Sequence, residues 1–299
     1  MELSWTMKLR IAAVAAVGVI FVSILAWPWD TPPDPFGALL VKAIGTSGAV
    51  TLLIMAFLAG LVAYFVAWPY GYQIGILAVP FGLAVWAVRA GSVAALVQLS
   101  PTFDQRQMLF ETLRWEPFFW LLVVGVGFGG VTLGQKIRQG YKFEETQEKD
   151  KLSSYIYLNT IIALVGSVLL TRFCLKIFAQ DVILSDNIYS SAAAQPAVGQ
   201  IVFAVLVSFG LTAFIVKKYL NVSYILPIIS SSLVTIYSTM DYIKPNVLEH
   251  YVESWPAVFF PDVVISMFPI QIVAFGTIGS IAGYWMAVRY SYWRQHEML

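Results

Sequence analysis

The chain has little with which to build a soluble enzyme. Of its 299 residues only 12% are charged, one is cysteine and two are histidine. The single Cys174 excludes an intrachain disulfide. His250 and His296 are too few for a cytochrome built on histidine pairs within helices. No His, Cys or carboxylate cluster has the spacing of a zinc site, so neither a metal nor any other cofactor is expected. A net charge of +1 creates no field for nucleic acid, and none is expected as a partner.

What is abundant is apolar. Hydrophobic residues make up 59% of the chain and its mean hydropathy is +0.76, a composition that needs lipid to cover it. Windows of about 20 apolar residues recur with polar breaks between them. Eight are read: Leu9 to Trp27, Ala49 to Ala67, Gln73 to Leu96, Pro117 to Leu133, Ser154 to Ile177, Gly199 to Val216, Ser223 to Asp241 and Val263 to Val288. The first resembles a signal peptide in its flanking Lys8 and Arg10, but lacks a small-x-small cleavage site and reads as a span. The seventh carries Ser230, Ser231, Ser232, Thr235, Ser238 and Thr239, and is expected inside the bundle rather than against lipid.

Cations set the orientation. With both termini cytoplasmic, eleven of the eighteen Lys and Arg residues fall in cytoplasmic segments and four outside, and three lie within spans. This favours an even number of spans in a plasma or inner membrane.

The second half, laid over the first at an offset near 150 residues, gives an ordered match. Gly60 to Val66 answers to Gly210 to Val216, Pro80 to Pro227, and Gly127, Gly130 and Gly134 to Gly276, Gly279 and Gly283. The expected fold is therefore all-α: two parallel four-helix repeats, residues 1–134 and 153–299, joined by a charged cytoplasmic linker, 135–152.

Gly125, Gly127 and Gly130 have the spacing of a dinucleotide-binding loop, but they lie within an apolar span with no strand before them. They read instead as packing residues. The pairs Gly125/Gly129, Gly130/Gly134 and Gly279/Gly283 sit one turn apart, which lets helix backbones approach closely in lipid. These faces are expected to join the fourth and eighth spans to each other, or to a protein partner or second copy. Asn221-Val222-Ser223 matches a glycosylation sequon but falls on the cytoplasmic side.

Charges at membrane depth are candidate functional groups. Arg89, Arg172, Lys176 and Asp241 qualify, with snorkelling to the headgroups the ordinary account of Lys176. Pro80 and Gly82 before Arg89, and Gly91 and Ser92 after it, predict an interrupted helix of the kind that forms transport sites. The expected substrate site comprises Arg89 and Arg172 to attract an anion or carboxylate, Asp241 as counter-charge or proton acceptor, and Ser231, Thr235 and Ser238 along its wall. No nucleophile with its base, and no paired carboxylates, point to catalysis. The competing class is a non-catalytic membrane subunit that anchors or scaffolds a larger complex through glycine faces and the aromatic outer loops. These loops contain Trp27, Trp29, Trp115 and Trp255, and residues 36–44 form a possible amphipathic surface helix.

Overall fold

The computed structural model describes residues 5–30, 40–139, 154–180 and 182–297. In chain order these form α1 (Trp5–Gly18), which continues as a π-helical segment (Val19–Leu25), α2 (Trp27–Asp30), α3 (Val41–Val66), α4 (Gly71–Gly75), α5 (Ala78–Arg89), α6 (Val93–Gln98) and α7 (Phe103–Gln139). After residues 140–153 come α8 (Ser154–Phe178), β1 (Ile183–Leu184) and β2 (Ala192–Ala193), which pair antiparallel, then α9 (Val198–Leu220), α10 (Ile225–Tyr242) and α11 (Pro245–Glu253). A 3-10 turn (Val263–Ser266) precedes the last helix, α12 (Pro269–Glu297). The chain is all-helical in class.

Seven stretches are long and apolar enough to cross a bilayer: Trp5–Leu25, Val41–Val66, Gly71–Arg89, Phe103–Arg138, Tyr157–Phe178, Val198–Leu220 and Pro269–Arg294. The seventh of the eight expected spans is a helix, α10, but its six hydroxyl side chains keep it from being apolar enough to join them. The third is interrupted, as its Gly91 and Ser92 suggest. Gly91 takes φ 87° and Ser92 caps α6, so Arg89 ends α5. The fourth is far longer than its apolar core, since α7 runs for 37 residues through Pro117. Of the expected linker, Gln135–Gln139 completes α7 and the rest lies outside the described residues. The expected surface helix over 36–44 lies partly outside them; Val41–Ile44 is the first turn of α3, set off by a break at Gly45 (φ 72°).

Each helix has defined neighbours. The most extensive interfaces are α3 with α7 and α9 with α12; α1 packs on α5, and α8 on α10 and α9. Across the chain's midpoint α5 packs on α12, α10 on α7, and α12 on α7. The core at these crossings contains fully buried Leu52, Leu83, Trp86, Trp120, Phe209 and Phe268. By contrast α8 leaves Ile161, Val165, Leu169 and Phe173 exposed along one face, as a lipid-facing helix does.

Glycines explain the two closest interfaces. A methyl group on Gly130 would fall 2.2 Å from the Phe57 carbonyl oxygen, and one on Gly283 would fall 2.0 Å from that of Gly210. Gly279 meets the Leu206 carbonyl at 2.5 Å and Gly134 the Tyr64 ring at 2.8 Å. The glycine faces thus join α7 to α3 and α12 to α9, rather than α7 to α12. Gly125 and Gly129 lie on another side of α7, with nothing within 4 Å. Because the other four glycines are filled from within the chain, they present no face to a second copy.

At one end of the bundle the loops lock together into a cap. Ala193 and Phe260 exchange two backbone hydrogen bonds of 2.8 Å. Gln195 Oε1 accepts from Ser92 Oγ and Ala94 N, both at 2.7 Å, and so ties the β2–α9 connection to the start of α6. Gln271, fully buried, donates from Nε2 to the Ala87 carbonyl at 3.2 Å, which joins α12 to the last turn of α5.

Candidate functional site

The residues expected to form one substrate site have separate partners. Arg172, near the end of α8, donates from Nη2 to Asp262 Oδ2 at 2.7 Å and lies over the Tyr237 ring, 4.3 Å from its centroid. Asp241 pairs with Lys244 at 2.5 Å on the exposed surface, because the residue three positions on is within easier reach than either arginine. That bond holds the Lys244 ammonium above its ordinary value. Arg89 is exposed and lies 5.2 Å from the centroid of Trp27, whose ring meets Trp86 edge-on. Lys176 is exposed too.

The hydroxyls of α10 are buried, as expected of that helix, but most close on its own backbone. Ser231 Oγ donates to the Ile228 carbonyl at 2.6 Å and Thr235 Oγ1 to that of Ser231 at 3.0 Å. Ser230, Ser232 and Thr239 bond back in the same way. This is the local habit of Ser and Thr in helices, which satisfies the hydroxyl without any partner from outside. Ser238 differs. It donates to Asp262 Oδ2 at 3.0 Å, the oxygen that also receives Arg172.

Asp262 thus joins α8, through Arg172, and α10, through Ser238, to the 3-10 turn. Its other oxygen accepts from Val264 N at 3.2 Å and caps the 3-10 turn. Sequence reading missed it because Asp262 immediately precedes the apolar run from Val263 and looks like a span boundary; the only local sign was an acid placed to cap a helical turn.

Three further polar groups at the capped end were also missed. Arg106, 1% exposed, donates from Nε to the Ser100 carbonyl at 3.0 Å and from Nη1 to that of Tyr251 at 2.6 Å. Its counter-charge is a pair of helix-end carbonyls, those following α6 and ending α11, where helix dipoles favour a cation. Glu116, also buried, accepts from Val41 N at 2.8 Å and satisfies one of the free donors that begin α3.

Asp186, in the turn between β1 and β2, accepts from Ile188 N at 3.0 Å, His250 Nε2 at 3.1 Å and Tyr251 Oη at 3.3 Å. The Ile188 amide, with His250 and Tyr251, holds this carboxyl below its ordinary range. Burial, reinforced by the Asp186 charge, pushes the Tyr251 hydroxyl up. Tyr189 stacks on Tyr251 and meets His250 edge-on, which closes an aromatic clasp over the turn.

Two open hollows lie on the cap. One of about 400 Å³ is lined by Asp186, His250, Tyr251, Ser254 and Phe259. The other, about 670 Å³, runs between Gly91–Ala94, Ala194–Val198 and Pro256–Val258 and is lined mainly by small residues and proline. Arg172, Asp241 and the α10 hydroxyls line neither. Among the described residues no three His, Cys, Asp or Glu side chains are grouped to hold a metal ion. Comparison with protein-family models, curated proteins and solved structures found no match to this chain.

Proposed function

We propose that this multi-span membrane chain is a non-catalytic structural subunit that organises a larger membrane assembly through its capped end. The observation that carries this reading is that most polar groups of the expected substrate site close on partners within the chain. The α10 hydroxyls bond to their own helix, Arg172 is matched by Asp262, and Asp241 by Lys244. A solute would have to break these bonds to be held, whereas a rigid platform gains from every one of them. The second support is the cap itself, where loops from both halves interlock and leave two surface hollows.

The platform reads as two parallel four-helix repeats with both termini cytoplasmic and the cap outside. Matched neighbours support the duplication: α1 lies on α5 as α8 lies on α10, α3 on α7 as α9 on α12, and α5 on α12 as α10 on α7. On this reading α10 is the eighth crossing helix, shielded from lipid by α7, α8 and α12.

The test is purification of the full chain in mild detergent with identification of what accompanies it. A stoichiometric protein partner that cross-links to the capped end, and is released by substitutions in its hollows, is the expected result. A chain that purifies alone and drives solute flux in reconstituted vesicles, with flux lost in Arg172→Ala, would replace this reading with transport.

A further inference from the structure

The bundle's charges are segregated. Among the described side chains every Asp and Glu belongs to the capped end, while the opposite end holds eight Lys and Arg residues and no acid. Among the described residues none of the eight is in a salt bridge, and the three ionic pairs found there all lie in or beside the cap. When the remaining sequence that joins these helix ends is counted, cations still outnumber acids there by eleven to six.

Aromatic rings hold several of these cations in place. In the first half the Arg138 guanidinium at the end of α7 lies 3.0 Å from the centroid of Trp68, and Arg10 lies 5.8 Å from that of Tyr70. In the second half Lys217 and Lys218, at the end of α9, lie 5.0 Å and 4.8 Å from the centroids of Tyr284 and Tyr290 on α12. Trp68, Tyr70 and Tyr290 are themselves exposed. Each pair sits where a helix leaves its apolar stretch, the depth at which Trp and Tyr meet lipid headgroups.

We infer that this end is a docking surface for anionic phospholipid headgroups, with one seat at Arg138/Trp68 and another at Lys218/Tyr290. A ring face stabilises a cation without neutralising it. A phosphate can therefore still supply a counter-charge, and Arg is suited to grip it through two nitrogens. The recurrence of the pair at the ends of both α7 and α9, away from the cap, matches an array of headgroups better than a single compact ligand. The surface does not depend on the structural-subunit reading, since a transporter with this end would carry it equally.

The experiment places the full chain in nanodiscs of mixed phosphatidylcholine and phosphatidylglycerol and reads retained lipids by native mass spectrometry. Wild type is expected to retain phosphatidylglycerol selectively. Arg138→Gln and Lys218→Gln should each weaken that selectivity about fivefold, Arg138→Lys should retain only part of it because an ammonium keeps the charge but loses the two-nitrogen grip, and Lys42→Gln at the capped end should leave it unchanged. Unfolding in phosphatidylcholine alone verifies that the variants fold. No selectivity in wild type, or equal loss in Lys42→Gln, overturns the inference. So does displacement of the lipid by millimolar inorganic phosphate, which would make this a soluble-anion site, or displacement by an acidic protein that binds equally well without lipid.

Discussion

Gly60 and Gly127 meet so closely that a methyl group added to Gly60 would fall 2.0 Å from the Gly127 carbonyl oxygen. This contact, with that of Gly283 on Gly210, sets the spacing of the two most extensive helix pairs.

Gly60→Ala and Gly283→Ala must therefore push backbone away from backbone, and each should cost about 1–3 kcal/mol. Gly125→Ala meets nothing within 4 Å and should be neutral or slightly stabilising, because it lowers the freedom of the unfolded chain. Thermal unfolding in detergent separates the two classes, and equal losses at all three positions would remove the packing explanation.

Arg172→Met leaves Asp262 with Ser238 as its remaining side-chain partner and should lower stability by about 1.5–3 kcal/mol, the range for a hydrogen bond to a charged group. Asp262→Ala should cost more because it also uncaps the 3-10 turn. The double variant measures their coupling, and additive losses would mean that the pair does not act as a unit.

Arg106→Gln should loosen α11 from the start of α7 at a cost of about 1.5–3 kcal/mol, the range for a hydrogen bond to a charged group. Hydrogen exchange is expected to rise across residues 245–254 before the membrane helices change. Uniform protection in the variant would show that Tyr251 is held by its aromatic neighbours instead.

The Asp186 clasp has a defined acid limit. Its carboxyl is depressed in the folded chain, so its stabilisation is complete above the unfolded value near 4 and declines as pH falls through the lower folded value. Proteolysis of the 183–193 turn should accelerate on acidification below about pH 4, while Asp186→Asn should be cut faster at neutral pH with a flatter acid response. An unchanged profile in Asp186→Asn would assign the closure to the Tyr189 stack.

Glu116→Gln retains an acceptor for Val41 N–H and should lose only the charge–dipole part, about 0.3–1 kcal/mol. Glu116→Ala abolishes the cap and should lose about 1 kcal/mol more. The difference between the two melting temperatures is the measurement.

Much of the architecture was legible because bilayer chemistry is one-dimensional. Length and apolarity along the chain mark eight candidate spans, seven of which are helices apolar enough to cross a membrane, and the hydroxyls of the remaining one, α10, mark it as an inside helix. The break after Arg89 was legible too, since Gly91 and Ser92 act locally on the backbone. Side-chain partnership was not. Whether Asp241 meets Arg172 or Lys244, and whether Gly130 faces Phe57 or α12, depends on helix rotation and on loops that fold back over the bundle. Asp262, Arg106 and Asp186 find partners 90, 145 and 64 residues away. The sequence alone therefore determined an apolar helical chain with asymmetric cations. Only the tertiary structure decided that Arg172 and Asp241 are matched in separate pairs and that buried Arg106 and Glu116 bond to backbone, because a charge in low dielectric takes whichever partner the packing brings within hydrogen-bond reach.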